Sequence, residues 1–128
     1  MPLVEIVIGL TLLQLIYFSM RVGAARGKYN VPAPATSGNE IFDRHYRVQM
    51  NSIEMGVVFL PSIWLFASHI STYWAAGLGV VYIVGRFLYE HGYIAQPKKR
   101  GLGFALSFLP TAILLLGGLG GAVVAALR

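Results

Sequence analysis

Three polar residues recur at helical spacing where the second apolar stretch of the chain begins. Arg47, Asn51 and Glu54 occupy positions i, i+4 and i+7, which places them on one face of an α-helix. Glu54 is about one turn inside apolar sequence, where contact with lipid is costly. We therefore expect this face to meet another helix or a polar ligand. A cation, an amide and a carboxylate together could bind a zwitterionic small molecule that carries carboxylates.

A second polar face is predicted in the third apolar stretch. Arg86, Tyr89 and Tyr93 lie at i, i+3 and i+7, again on one side of a helix. Arg100 follows Tyr93 by seven residues and is expected at the membrane surface. Together with the first face, these side chains gather several arginines and two tyrosines at one membrane level, which favours a ligand site.

Another interpretation of the same residues is purely structural. Glu54 could pair with Arg86 inside a helix bundle, while Tyr89 and Tyr93 lie in the membrane interface. Glu90, four residues after Arg86, is a further candidate partner for it. The residue types alone leave the two interpretations open.

Other kinds of site are not expected. The chain has no cysteine, so it offers neither a disulfide nor a thiolate metal ligand. Its histidines, His45, His69 and His91, have no second ligand at i+4, and we predict no metal site. The sequence contains no phosphate-binding glycine loop and no serine-histidine-acid set. The chain has a net charge of +5, but its sequence lacks the interleaved polar and aromatic residues of a nucleic-acid-binding surface. Nucleic acid is therefore not an expected partner.

The composition indicates which elements hold these faces. Of 128 residues, 56% are hydrophobic and only 12% are charged, against about 25% charged in an ordinary soluble domain. An integral membrane protein with one domain, residues 1–128, is predicted. A helical span needs roughly 20 apolar residues. Four stretches qualify, giving an all-α bundle of four transmembrane helices: 3–25, 51–70, 72–95 and 102–127.

Basic residues are concentrated in two of the three predicted connections. Eight of the ten flank or fill the first and third loops: Arg21, Arg26, Lys28, Arg44, Arg47, Lys98, Lys99 and Arg100. By the positive-inside rule, both of these loops are cytoplasmic and both termini lie outside. Near the end of the chain, the spacing of Gly117 and Gly121 favours close contact with another helix.

Both polar faces resemble motifs of the MAPEG superfamily, the membrane-associated proteins in eicosanoid and glutathione metabolism. The segment from Phe42 to Glu54 is similar to its F-x-R-x-x-R-x-Q-x-N-x-x-E signature. The segment from Arg86 to Tyr93, followed by Arg100, is similar to its R-x-x-Y-x-x-G-Y segment and downstream arginine. The branch it resembles contains microsomal glutathione transferases and leukotriene-C synthases, and a bacterial member in the inner membrane is expected.

The resemblance implies a homotrimer with glutathione, as co-substrate, bound between neighbouring subunits near the cytoplasmic surface. The residue that matches Arg100 stabilises the glutathione thiolate in that branch. Arg26 and Gln49 would reach glutathione from the adjacent subunit. The remaining glutathione-binding positions implied are Arg47, Asn51, Glu54, Tyr89 and Tyr93.

Two positions depart from that branch. Gly27 replaces an arginine proposed as a proton donor, and Met55 replaces a frequent tyrosine. These departures argue against leukotriene synthesis. We therefore expect a glutathione transferase of detoxification that acts on an apolar electrophile or a lipid in the bilayer. Peroxidase activity is a further expectation.

Two alternatives remain. A non-catalytic lipid-binding or scaffold member of the superfamily would keep the bundle and lose the glutathione ligands. A small four-span cation exporter would need a carboxylate within the first span, where the only acid is Glu5 at its very end.

Overall fold

The computed structural model describes residues 1–128 and contains helices but no strand. Helix α1 is Pro2–Tyr29, α2 is Glu40–His69, α3 is Thr72–Ala95 and α4 is Gly101–Ala126. A 3₁₀ turn, Pro97–Arg100, joins α3 to α4. The predicted all-α architecture of four helices is confirmed.

The predicted spans fall inside these helices except for Ile70 and Leu127, each of which lies one residue past the end of its helix, and α2 begins well before its apolar part. Length and composition identify three helices that could cross a membrane: α1, α2 and the unit formed by the 3₁₀ turn with α4. Helix α3 has 24 residues, which is long enough to span, but Arg86 and Glu90 lie within it. Three of the four predicted crossings therefore meet both criteria.

The start of α2 is fixed by a cap that lies just ahead of the first polar face. The Asn39 side chain accepts hydrogen bonds from the backbone N–H groups of Ile41 at 2.9 Å and Phe42 at 3.0 Å. From there the helix continues to His69 without interruption, through the internal Pro61. The polar segment and the apolar span thus form one continuous helix, as the sequence predicts.

The apolar half of the bundle has a core of buried side chains. Val4 of α1, Phe59 and Ile63 of α2, Tyr82 of α3 and Leu114 of α4 are all buried in one cluster. The rings of Phe59 and Tyr82 stack with centroids 3.7 Å apart. All four helices contribute to this cluster, which holds α2 and α3 in the register that brings their polar faces together.

The glycines of α4 allow it to approach α2 closely. A Cβ at Gly118 would lie 2.8 Å from the backbone nitrogen of Phe66, and one at Gly121 would lie 2.6 Å from the Cβ of His69. No larger side chain fits at these points without moving α2. The predicted packing role of this glycine-rich segment is confirmed.

Candidate functional site

Arg86 is the centre of the polar contacts between α2 and α3. Its side chain is fully buried, at 0% exposure. Its Nη2 donates to Asn51 Oδ1 at 2.8 Å and to Ser52 Oγ at 3.0 Å, both on α2. Its Nε and Nη1 are buried and have no hydrogen-bond partner. A buried cation with unused donors is costly in the free protein, so it is well suited to an anionic ligand.

The two acidic partners suggested for Arg86 are both wrong. Glu54 is exposed and forms no ion pair, and Arg86 bonds Asn51 and Ser52 of the same helix instead. Glu90 pairs across the bundle with Arg21 of α1, at 3.4 Å from Nε. Arg86 is therefore held by neutral oxygen atoms alone.

The tyrosines of α3 extend the site towards the 3₁₀ turn. The guanidinium carbon of Arg86 lies 4.3 Å from the ring centroid of Tyr89, within cation–π range. Tyr89 is buried, and its ring stacks with that of Tyr93 at 5.6 Å. Arg86 is therefore enclosed by polar atoms of α2 on one side and by the tyrosine rings of α3 on the other.

Arg100 ends the 3₁₀ turn and is exposed. Its Nη1 donates to the Pro97 carbonyl oxygen at 2.8 Å, which holds the side chain against its own turn. Two glycines let this turn and the start of α4 pack closely on α3. A Cβ at Gly92 would overlap the Lys99 carbonyl oxygen, and one at Gly103 would overlap the backbone of Tyr89. The position of Arg100 relative to Tyr89 therefore depends on Gly92 and Gly103.

Arg26 lies at the end of α1 and is occupied by its own loop. Its Nη1 donates to the carbonyl oxygens of Val31 at 3.3 Å and Ala35 at 2.6 Å. Its guanidinium carbon lies 4.9 Å from the centroid of the buried Phe42 ring. Within one chain, Arg26 stabilises the loop between α1 and α2.

The candidate residues thus form two groups. Asn51, Tyr89 and Tyr93 are joined through Arg86, with the charges of Arg47 and Arg100 nearby. Gln49 and Glu54, by contrast, make no side-chain hydrogen bond, and Glu54 is exposed on a helix whose later part is apolar.

Residues 4–120 match the MAPEG family. The chain belongs to this family. An uncharacterised protein of Synechocystis is 49% identical over 100 residues, covering 78% of this chain and 73% of that protein. Human microsomal glutathione S-transferase 2 is 44% identical over 105 residues, covering 81% and 71%. Bovine leukotriene C4 synthase is 36% identical over 84 residues, covering 66% and 56%.

In this MAPEG chain, sequence reasoning did not include two central residues of the site, Arg86 and Ser52, among the predicted glutathione ligands. Arg86 was placed on the second polar face, but only its burial and its unused donors show that it is central. Its signal was a charge three residues before Tyr89 in an apolar stretch. Ser52 has no such signal, since a serine is common in membrane helices and only the geometry shows that it accepts from Arg86.

No group of three His, Asp or Glu side chains is close enough together to hold an ion. The arrangement offers cationic and neutral donors at a membrane surface. Such donors can bind carboxylates and stabilise a thiolate.

Proposed function

We propose that the protein is a membrane-embedded glutathione transferase that converts the glutathione thiol to a thiolate and adds it to an apolar electrophile. The observation that carries the proposal is the buried Arg86, which keeps two unused donors between Asn51 and Tyr89. The likeness to human microsomal glutathione S-transferase 2 supports glutathione as the ligand. A carboxylate of glutathione would complete the hydrogen bonding of this guanidinium.

Arg100 is the residue proposed to activate the thiol. A free thiol has a pKa of about 8.5, so most glutathione is protonated at neutral pH. A guanidinium beside the sulfur favours the anion, which is the nucleophile. Each unit by which the pKa falls corresponds to about 1.4 kcal/mol of preferential stabilisation of the thiolate. Arg100 is exposed, and only one hydrogen bond, to the Pro97 carbonyl oxygen of its own turn, would have to break for it to move towards a bound sulfur.

The chemical step then needs little further from the protein. The thiolate attacks an electrophilic carbon and forms a C–S bond, and the displaced electron pair goes to a leaving group or is protonated by water. The apolar substrate would reach the sulfur from the bilayer and be held beside it. With a hydroperoxide instead, the thiolate would attack oxygen and a second glutathione would complete the reduction, giving an alcohol, water and glutathione disulfide.

The assembly proposed is a homotrimer with glutathione between subunits. Glu54 supports this assembly, because an exposed carboxylate beside apolar sequence needs a protein or ligand surface to cover it. In the trimer, one subunit would bind glutathione through Arg47, Glu54 and the residues joined at Arg86, namely Asn51, Tyr89 and Tyr93. Arg26 and Gln49 would approach from the neighbouring subunit. Both basic loops would then be cytoplasmic, with the termini outside.

The decisive experiment follows the ultraviolet absorbance of the thiolate as glutathione is added to purified protein in detergent. We expect a rise with the native chain and with Lys98→Ala, which removes another exposed cation of the same turn. Arg100→Ala should bind glutathione and remain oligomeric, yet give about tenfold less thiolate, since about one pKa unit of stabilisation is lost. An unchanged signal in Arg100→Ala would assign thiol activation to another group. No signal in the native chain would favour the non-catalytic lipid-binding alternative.

A further inference from the structure

A small cavity lies between α1 and α2, at the end of the bundle where the first loop joins these two helices. Its volume is about 160 Å³, and its wall is formed by Arg21, Ala24, Ala25, Lys28, Tyr29 and His45. All of these residues except His45 belong to the last turns of α1, and His45 lies in the second turn of α2. No residue of the wall is among those proposed to hold glutathione. This α1–α2 cavity is therefore a candidate site of its own.

His45 is the buried polar residue of the α1–α2 cavity. It is only 9% exposed, and its ring makes no hydrogen bond to another protein group. A neutral imidazole carries one N–H donor, and a protonated imidazole carries two. Leaving such a donor unpaired in a buried position costs free energy. Because the His45 ring lies in the cavity wall, a hydrogen-bond acceptor inside the cavity would satisfy this donor.

The two cations of the wall also have unused donors. Arg21 pairs with Glu90 of α3 through Nε alone, at 3.4 Å, and its terminal nitrogens make no hydrogen bond. Lys28 makes no ion pair, and its ammonium lies 5.4 Å from the centroid of the Tyr29 ring. The wall contains no carboxylate, since Glu90 lines the adjoining cavity instead. The space is thus enclosed by donors from two helices and contains no acceptor side chain with a negative charge.

We infer that the α1–α2 cavity binds a phosphate group. A phosphate monoester carries a charge of about −1.5 to −2 near pH 7 and three acceptor oxygens, which matches two cations and one imidazole. A carboxylate offers two oxygens in one plane and a single charge, so it would leave part of this set unpaired. The volume is adequate as well, because a cavity of about 150 Å³ is large enough for benzene, which has more heavy atoms than a phosphate group.

The location of the cavity determines where the phosphate comes from. Lys28 lies in the last turn of α1, and Arg21 lies about 10 Å deeper at the rise of an α-helix. This is the depth at which basic side chains beside a membrane span attract anionic groups. Two sources share the required chemistry at this depth: the headgroup of a lipid with a terminal phosphate, and a soluble phosphate compound.

The test measures binding of radiolabelled inorganic phosphate to the purified protein in detergent by equilibrium dialysis. Lys28→Met should weaken binding by about tenfold, the effect of losing one hydrogen bond to a charged group. Lys98→Met removes the same charge from the 3₁₀ turn, outside the cavity, and should leave binding unchanged. His45→Phe retains a buried ring without its donor and should also weaken binding by about tenfold. Glu90→Gln removes the carboxylate that partly neutralises Arg21 and should strengthen binding.

Competition experiments test the chemistry and identify the source. Sulfate, a tetrahedral dianion, should displace phosphate at least about tenfold better than acetate does. Stronger displacement by dihexanoyl phosphatidic acid than by glycerol 3-phosphate would support the site with a lipid headgroup as its occupant, and equal displacement would support it with a soluble phosphate. Absence of saturable binding would overturn the inference. Equal losses in Lys28→Met and Lys98→Met would also overturn it, as would displacement of phosphate by glutathione, which would make the cavity part of the glutathione site.

Discussion

Helix α3 has two polar faces at one membrane level, and they are built in contrasting ways. On the side of α2, Arg86 is fully enclosed and held by Asn51 and Ser52 at 2.8 and 3.0 Å. On the side of α1, the Arg21–Glu90 pair is 3.4 Å apart, and the Arg21 side chain is 45% exposed. The first face orders its cation before any ligand arrives, whereas the second leaves its cation open to the membrane surface.

This difference shows two ways in which a small helix bundle accommodates charged side chains beside an apolar core. A charge inside a membrane protein requires a partner, a ligand or access to water. Arg86 has two oxygen partners and two donors left over, so its remaining requirement is a specific, rigidly placed acceptor. Arg21 has access to the surface and therefore tolerates several partners.

The largest effect is expected when the enclosed cation is removed. Arg86→Met should weaken glutathione binding by about 100-fold, since a charged, forked donor is lost. The free energy of unfolding should stay within about 1 kcal/mol of the native value or rise, because a buried cation with unused donors is replaced by an apolar chain. Calorimetric titration and detergent unfolding measure the two quantities on the same protein.

Arg44→Met is the matched control for this prediction. Arg44 bonds the carbonyl oxygen of Ile94 at 2.9 Å and pairs with Glu40 at 2.6 Å, so it joins α2 to the end of α3. Its loss should lower stability and leave glutathione affinity nearly unchanged. If Arg86→Met instead unfolded the protein while its refolded fraction bound glutathione normally, Arg86 would be structural and the contrast between the two faces would fail.

A smaller effect is expected at Gly92, which sets the position of Arg100. A Cβ there would overlap the Lys99 carbonyl oxygen, so Gly92→Ala should displace the 3₁₀ turn from α3. A small displacement of a catalytic group from its working position slows the reaction. We expect about tenfold slower conjugation, with glutathione affinity changed much less, as measured by steady-state kinetics with a soluble model electrophile.

Gly77→Ala serves as the comparison, because Gly77 is also in α3 and a Cβ there meets nothing within 4 Å. This variant should keep full activity and gain about 0.5–1 kcal/mol of helix stability. Equal kinetics for the two variants would show that the turn does not depend on its close approach to α3.

The sequence predicted much of this arrangement because membrane helices follow from local signals. Long apolar stretches located the four helices, and the spacing of Arg47, Asn51 and Glu54 showed that one helix carries them. The Phe42–Glu54 motif added the family, which the comparison confirmed. Glutathione and the trimer came from the resemblance alone, and they stay predictions.

The contacts that were not predicted depend on how the helices rotate and approach one another. Local sequence patterns do not encode these arrangements. A rotation of α2 decides that Asn51 meets Arg86 while Glu54 faces outward, and so the predicted ion pair was wrong. Similarly, the partner of Glu90 is on α1, far away in the sequence.

The smallest effect is expected when the open pair is neutralised. Glu90→Gln should change the free energy of unfolding by less than about 1 kcal/mol, because the pair is long and Arg21 can be solvated at the surface. Detergent unfolding of this variant beside Arg44→Met compares an open ion pair between α1 and α3 with an arginine of α2 that bonds the Ile94 carbonyl oxygen at the end of α3. A loss of 3 kcal/mol or more would be typical of a buried pair. It would mean that Arg21 is fully committed to Glu90, and the two faces of α3 would then differ only in which helix they contact.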